Sequence, residues 1–148
     1  MLGRIAMRLL LVVGFLSMRF LAQAQSEPVE RNLWYNEEKT AKIQIFKATD
    51  GKYYGKIVWL KVPEVEGRAK VDIHNPDASK RNTPIMGLLL LKGLKKDGEG
   101  SFDEGTIYDP KNGKTYSCKM TYKGDKIDLR GYIGFSLIGR TTTWTKAD

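Results

Sequence analysis

The chain of 148 residues is poor in the residues that build most recognisable sites: it has one cysteine, Cys118, and one histidine, His74. A single thiol excludes an intramolecular disulfide, even in an oxidising compartment. A lone imidazole supplies neither a metal cluster nor a nucleophile–base pair. No glycine-rich phosphate loop stands between a strand and a helix. No cofactor and no metal are therefore expected, and no residue is assigned a catalytic role. Helical periodicity is nearly missing after Gln25, as are linkers, low-complexity tracts and fixed-period repeats. One domain held by packing alone is the organisation that remains.

What is present starts with MLGRIAMRLLLVVGFLSMRFLAQAQS, where Arg4 and Arg8 precede an apolar run from Leu9 to Met18 and the small-residue signature Ala22-Gln23-Ala24. This order is that of a secretory signal peptide over residues 1–24, with Met7 as an alternative start. The run is too short for a permanent bilayer span, and no cysteine near Ala24 offers a lipid attachment point. A periplasmic or secreted bacterial protein cleaved near Ala24 is expected, with a flexible segment over 25–31 and a domain over 32–148. Removing the three arginines of the leader takes the formal charge from +8 to +5. The lysines are scattered among apolar residues rather than gathered on one face, so no nucleic-acid partner is expected.

The domain reads as strands. AKIQIFKA sends Ala41, Ile43 and Ile45 one way and Lys42, Gln44 and mostly Lys47 the other, and Thr49-Asp50-Gly51-Lys52 supplies a hairpin turn. YYGKIVWLKV and MGLLLLKGL read as further strands, the second one buried. Asp97-Gly98-Glu99-Gly100 and Asp109-Pro110-Lys111-Asn112-Gly113-Lys114 close two more hairpins. In TYSCKMTYK, Tyr116, Cys118, Met120 and Tyr122 point inward; in KIDLRGYI, Ile127, Leu129 and Ile133 share a face. FSLIGRTTTWTK reads as the closing strand. About seven or eight strands joined mostly by short turns form an up-and-down meander, and closure into a small antiparallel barrel removes its edges and hides its apolar face. The connection from Pro63 to Pro84 is too long for a simple turn, and Asn75-Pro76-Asp77 suits a short helix start.

The succession GKIVWL, NPDASKRNTPIMGLLLL, GTIYDPKNGKTYSCKM and LRGYIGFSLIGRTTTWTK resembles the DUF2147 family of exported bacterial proteins, from about Trp34 to Lys146. The resemblance implies an all-β, lipocalin-like (calycin-type) barrel and carries over no catalytic residue. Phe102, Glu104 and His74 depart from the family pattern, where Trp, Gly and Asn are usual. Barrels of this kind commonly cross a Trp of the first strand with an Arg of the last, which implies a structural closure by Trp34 and Arg140. A cation over an aromatic face contributes about 0.5–2 kcal/mol.

The candidate ligand-binding residues are Trp59, Tyr116, Met120 and Tyr122 inside the barrel and Asp72, Asn75, Asp77 and Arg81 in the long connection. Asp72, Asp77 and Arg81 are also placed to form a local network pinning that connection, which serves as a plug, a lid or a catalytic loop. Three functions follow: a non-enzymatic binder of a small apolar or amphipathic molecule; an interaction module with a filled barrel that docks on an envelope protein or glycan; and a hydrolase using carboxylates among Asp72, Asp77, Asp103 and Asp109. The state of the barrel interior separates the first two.

Overall fold

The computed structural model describes residues 27–148. The expected leader, its expected cleavage site near Ala24 and either start lie outside them. The strands are β1 (Leu33–Tyr35), β2 (Ala41–Lys47), β3 (Tyr53–Leu60), β4 (Glu64–Val65), β5 (Arg68–Ala69), β6 (Leu89–Gly98), β7 (Ser101–Asp109), β8 (Lys114–Tyr122), β9 (Lys126–Tyr132) and β10 (Gly139–Lys146). Eight of them close into a barrel in the ring order β1-β10-β9-β8-β7-β6-β3-β2, while β4 and β5 form a separate small hairpin. Closure is made where Trp34 faces Lys146 and Tyr35 faces Thr145, antiparallel. Because β1 is short, the seam is extended by the Ala147 N–H, which donates to the Leu33 carbonyl at 2.8 Å.

The alternation that predicted the strands also builds the core. Ala41, Ile43 and Ile45 of β2, Cys118 and Met120 of β8, and Ile127 and Leu129 of β9 are all buried. Hairpin turns lie where glycine tolerates left-handed backbone: Gly51 has φ +78° and Gly113 has φ +72°. Glu104, in a register shift between β7 and β8, has φ +59°, a conformation in which its Cβ is a burden that a glycine would not carry.

Four expectations are corrected. Lys42 pairs with Trp59 but Ile43 pairs with Ile57, so β3 carries one extra residue against β2. That bulge reverses the parity of the strand, and Trp59 faces outward, against Tyr35 and under the Lys42 ammonium. FSLI is not strand: β10 starts only at Gly139, and Phe135, Leu137 and Ile138 stand exposed in the connection before it. Ile133 keeps the parity of Ile127 and Leu129 but lies past the end of β9, and it is exposed. Residues 27–31, expected as flexible, pack on the barrel: Val29–Arg31 form a 3-10 turn with Val29 buried, and the Tyr122 hydroxyl donates to the Glu27 carbonyl at 2.6 Å.

Candidate functional site

Up-and-down connectivity puts alternate connections at opposite ends. One end carries the tight hairpins around residues 48–52, 97–100 and 123–125 together with the 3-10 turn. Behind them the barrel is filled. Trp34 is fully buried, with its indole N–H donating to the Val29 carbonyl at 3.0 Å and its ring edge-on to Tyr122 at 5.7 Å. Tyr53 and Phe102 meet edge-to-face at 4.9 Å in the same half, beside Leu94 and Met120.

The other end is open. A cavity of about 990 Å³ enters the barrel between the 36–40 hairpin, the 61–88 connection, the 109–114 turn and the 133–138 connection. Its floor is apolar, formed by Ile43, Leu129 and Trp144, whose register partners include Trp34, Met120 and Ile127, and Ile57, Leu90, Ile107 and Tyr116 wall it. The rim is polar and partly paired: Lys111 holds Glu38 at 2.6 Å and Arg140 holds Glu37 at 3.3 Å, while Lys61 and Lys70 also border it. The Lys111 hydrogen bond and charge draw the Glu38 carboxyl below its ordinary range. An apolar floor under a charged rim suits a molecule with a greasy body and a polar end.

The long connection walls one side of this mouth instead of plugging the barrel. Val71, Ile73 and Ile85 line the cavity, and Ile85 is buried. Backbone and side-chain contacts hold the segment. Val71 bridges Pro84, the Asp72 N–H donates to the Thr83 carbonyl at 2.9 Å, and the Asp72 carboxylate accepts from the Tyr108 hydroxyl and the Asn75 amide, both at 2.8 Å. Asp72 is fully buried, so those two donors offset the cost of taking a carboxylate out of water. Partial burial and the Asp72 bond push the Tyr108 hydroxyl up to about 12. The connection also lies against the β7–β8 turn, where a Cβ on Gly113 would overlap the His74 carbonyl oxygen.

The residues named from sequence are dispersed. Tyr116 lines the large cavity. Met120 and Tyr122 belong to the filled half, and Trp59 is outside the barrel. Asp72 and Asn75 border a smaller cleft of about 270 Å³ between the connection and β6–β7. Asp77 caps the 3-10 turn Ala78–Lys80 through the Ser79 N–H at 3.0 Å, and Arg81 donates to the Asn75 carbonyl at 2.8 Å. The expected network therefore exists in altered form: Asn75 links Asp72 to Arg81, and Asp77 serves the turn. Arg140 does not cross Trp34. The register puts Trp34 opposite Lys146, at the far end of β10 from Arg140, and the guanidinium pairs with Glu37 on the rim. Among the described residues no group of three His, Cys, Asp or Glu side chains converges on a point. Leu90, Leu129 and Trp144 were not selected from sequence; the longest connection marks the open end and so points to Leu90 at the start of β6, whereas no local signal sets the depth of Leu129 and Trp144.

Comparison with known proteins places this geometry. No curated protein matches the chain. The solved structure of protein HP1028 from Helicobacter pylori, described as belonging to the lipocalin family, aligns with a TM-score of 0.68 at 25% identity, covering 79% of this chain and 82% of that one. The family model described as "Uncharacterized protein conserved in bacteria (DUF2147)" matches residues 32–146, the full circuit of the barrel. A closed eight-strand lipocalin-like barrel with one open end is thus the form taken here by a chain that belongs to the DUF2147 family.

Proposed function

We propose that this protein is an exported, non-enzymatic binding protein that holds a small apolar or amphipathic molecule in the open half of its barrel. The observation that carries the reading is the cavity of about 990 Å³ with its apolar floor and charged rim. Its size lies at the upper end of the roughly 300–1,000 Å³ used by small-molecule sites. Tyr116 offers a hydroxyl within the cavity, and the Asn112 amide already donates to it at 3.0 Å. Export, to the periplasm or the cell exterior, rests on the leader over residues 1–24. The module reading required a filled interior, and only one half of the barrel is filled.

Protein purified from its own bacterium, measured by native mass spectrometry, is expected to retain a small molecule. Emptied protein is expected to enhance the fluorescence of an environment-sensitive apolar dye that the released molecule displaces. A bare mass together with no dye uptake would sink the reading.

A further inference from the structure

Large apolar side chains left in water are not spread over this protein. Apart from Trp59, every one among the described residues lies in two connections of the open end, 61–88 and 133–138. Leu137 is 90% exposed and Phe135 77%. Across the mouth, Val62 and Val65 are exposed at and beside the β4–β5 hairpin, and Ile73 follows. Grouped apolar exposure of this kind marks a contact surface.

The 133–138 connection is held in its projecting form. The Arg130 guanidinium donates to the Ser136 carbonyl, to the Leu137 carbonyl at 3.1 Å and to the Thr141 hydroxyl at 3.1 Å, and the Ile138 N–H closes a turn on the Phe135 carbonyl at 3.0 Å. With its carbonyls satisfied from the barrel side, the loop presents side chains outward at little backbone cost. The free charges around it are of both signs with cations in excess: the exposed Lys61, Arg68 and Lys70 stand against the exposed Glu64 and Glu66. Glu37 and Glu38 of the rim are already paired with Arg140 and Lys111. Lys61, Arg68 and Lys70 are exposed and, among the described residues, have no carboxylate within ion-pair distance.

We infer that the open end docks on the surface of an anionic lipid bilayer. Phe135, Leu137 and Val65 enter the boundary between headgroups and acyl chains, and Lys61, Arg68 and Lys70 meet lipid phosphates. Apolar tips flanked by unpaired cations that outnumber the neighbouring carboxylates Glu64 and Glu66 match such an interface, whereas a protein partner would need a surface complementary to two separated tips. Ile133 and Ile138 border both the tip and the cavity, so docking would set the mouth against the lipid. The inference stands on the surface alone and does not need the cavity to be occupied.

Sedimentation of the purified protein with vesicles of phosphatidylethanolamine and phosphatidylglycerol tests it. The protein should pellet with them, less so with phosphatidylcholine vesicles, and binding should weaken as salt screens the cations. The Phe135→Ser/Leu137→Ser variant should lose about tenfold or more in partitioning, since each change removes a full apolar burial. Neither residue lines the cavity, so dye affinity should be unchanged, which keeps this test separate from that of the binding function. Arg68→Glu should lower binding to the anionic vesicles only. Protein that stays in the supernatant with every vesicle overturns the inference, as does a double variant that pellets like the wild type. Salt-independent self-association abolished by the double variant, without vesicle binding, would assign the tips to a second copy instead.

Discussion

The two ends of the barrel share strands but are finished in opposite ways. At one end, tight hairpins and a 3-10 turn close over Trp34, Tyr53 and Phe102, and both chain termini of the domain are tied to it through Tyr122 and Ala147. At the other, long or apolar connections surround an open cavity whose rim is held by exposed ion pairs and one buried carboxylate. The difference shows how a domain of this size keeps a cavity without a disulfide: apolar burial is concentrated in one half, so the other can forgo it.

The largest expected effect tests that division. Trp34→Ala removes the most deeply buried indole and the hydrogen bond to Val29, and it should destabilise the protein by about 3–5 kcal/mol in urea denaturation. Leu60→Ala, at the half-buried mouth, should cost less than about 1 kcal/mol. Equal losses at the two positions would erase the contrast between the ends.

Glycines sharpen the same comparison. A Cβ at Gly105 would stand 2.6 Å from Leu94 Cδ2, a fully buried side chain with nowhere to move. A Cβ at Gly131, on the cavity wall, would sit 3.6 Å from Tyr116 Cβ, in ordinary contact. Gly105→Ala should therefore cost about 1–3 kcal/mol from overpacking. Gly131→Ala should be neutral or stabilise by up to about 1 kcal/mol, because it restricts the unfolded chain. The extension Gly131→Leu should block dye uptake while leaving the denaturation curve nearly in place; a folded variant that still takes up dye with unchanged affinity would show that binding lies elsewhere.

The closed end was the more legible one in the sequence. Its strands alternate cleanly, as in TYSCKMTYK, and its turns carry Asp-Gly or Gly-Asp, so local chemistry determined both pattern and position. At the open end the local signals fail for physical reasons. IVWL, residues 57–60, is apolar throughout, so nothing in it reveals the bulge that turns Trp59 outward. FSLI has the composition of a strand and is a projecting loop, because its register partners are missing and Arg130 takes its carbonyls. Alternation told that Met120 and Tyr122 point inward but not which half of the barrel they fill, since depth along the axis depends on shear and register across strands. Arg140 failed as a closure residue for that same reason.

The bond from Tyr108 to Asp72 is the next smaller lever. Tyr108→Phe leaves the carboxylate with Asn75 as its side-chain donor, and the loss should be about 1 kcal/mol of stability. The sharper readout is local. Limited proteolysis within residues 71–84 should accelerate, while the hairpin at 97–100 should be cut no faster than in the wild type. Uniform acceleration would mean that the connection is held by the barrel as a whole and not by this anchor.

The last comparison rests on a titration that is silent at neutral pH and acts only in alkali. Burial in the core pushes the Cys118 thiol from 9.0 up to about 12, with the Asp103 carboxylate adding to the rise. The unfolded chain releases this proton at the lower value, so below about pH 9 the group adds no pH dependence. As pH rises from there toward the folded value, the unfolded thiolate is solvated while the folded thiol stays neutral, and stability drains away. Cys118→Ala removes this slope. Its denaturation midpoint should lie below that of the wild type at neutral pH, from lost packing, and the gap should close as the medium becomes alkaline. Thiol reagents should label native Cys118 no faster than the protein unfolds. A gap that stays constant with pH, or rapid labelling at neutral pH, would mean that water from the open end reaches the core at Cys118, and the two ends would no longer differ in the way their stability is built.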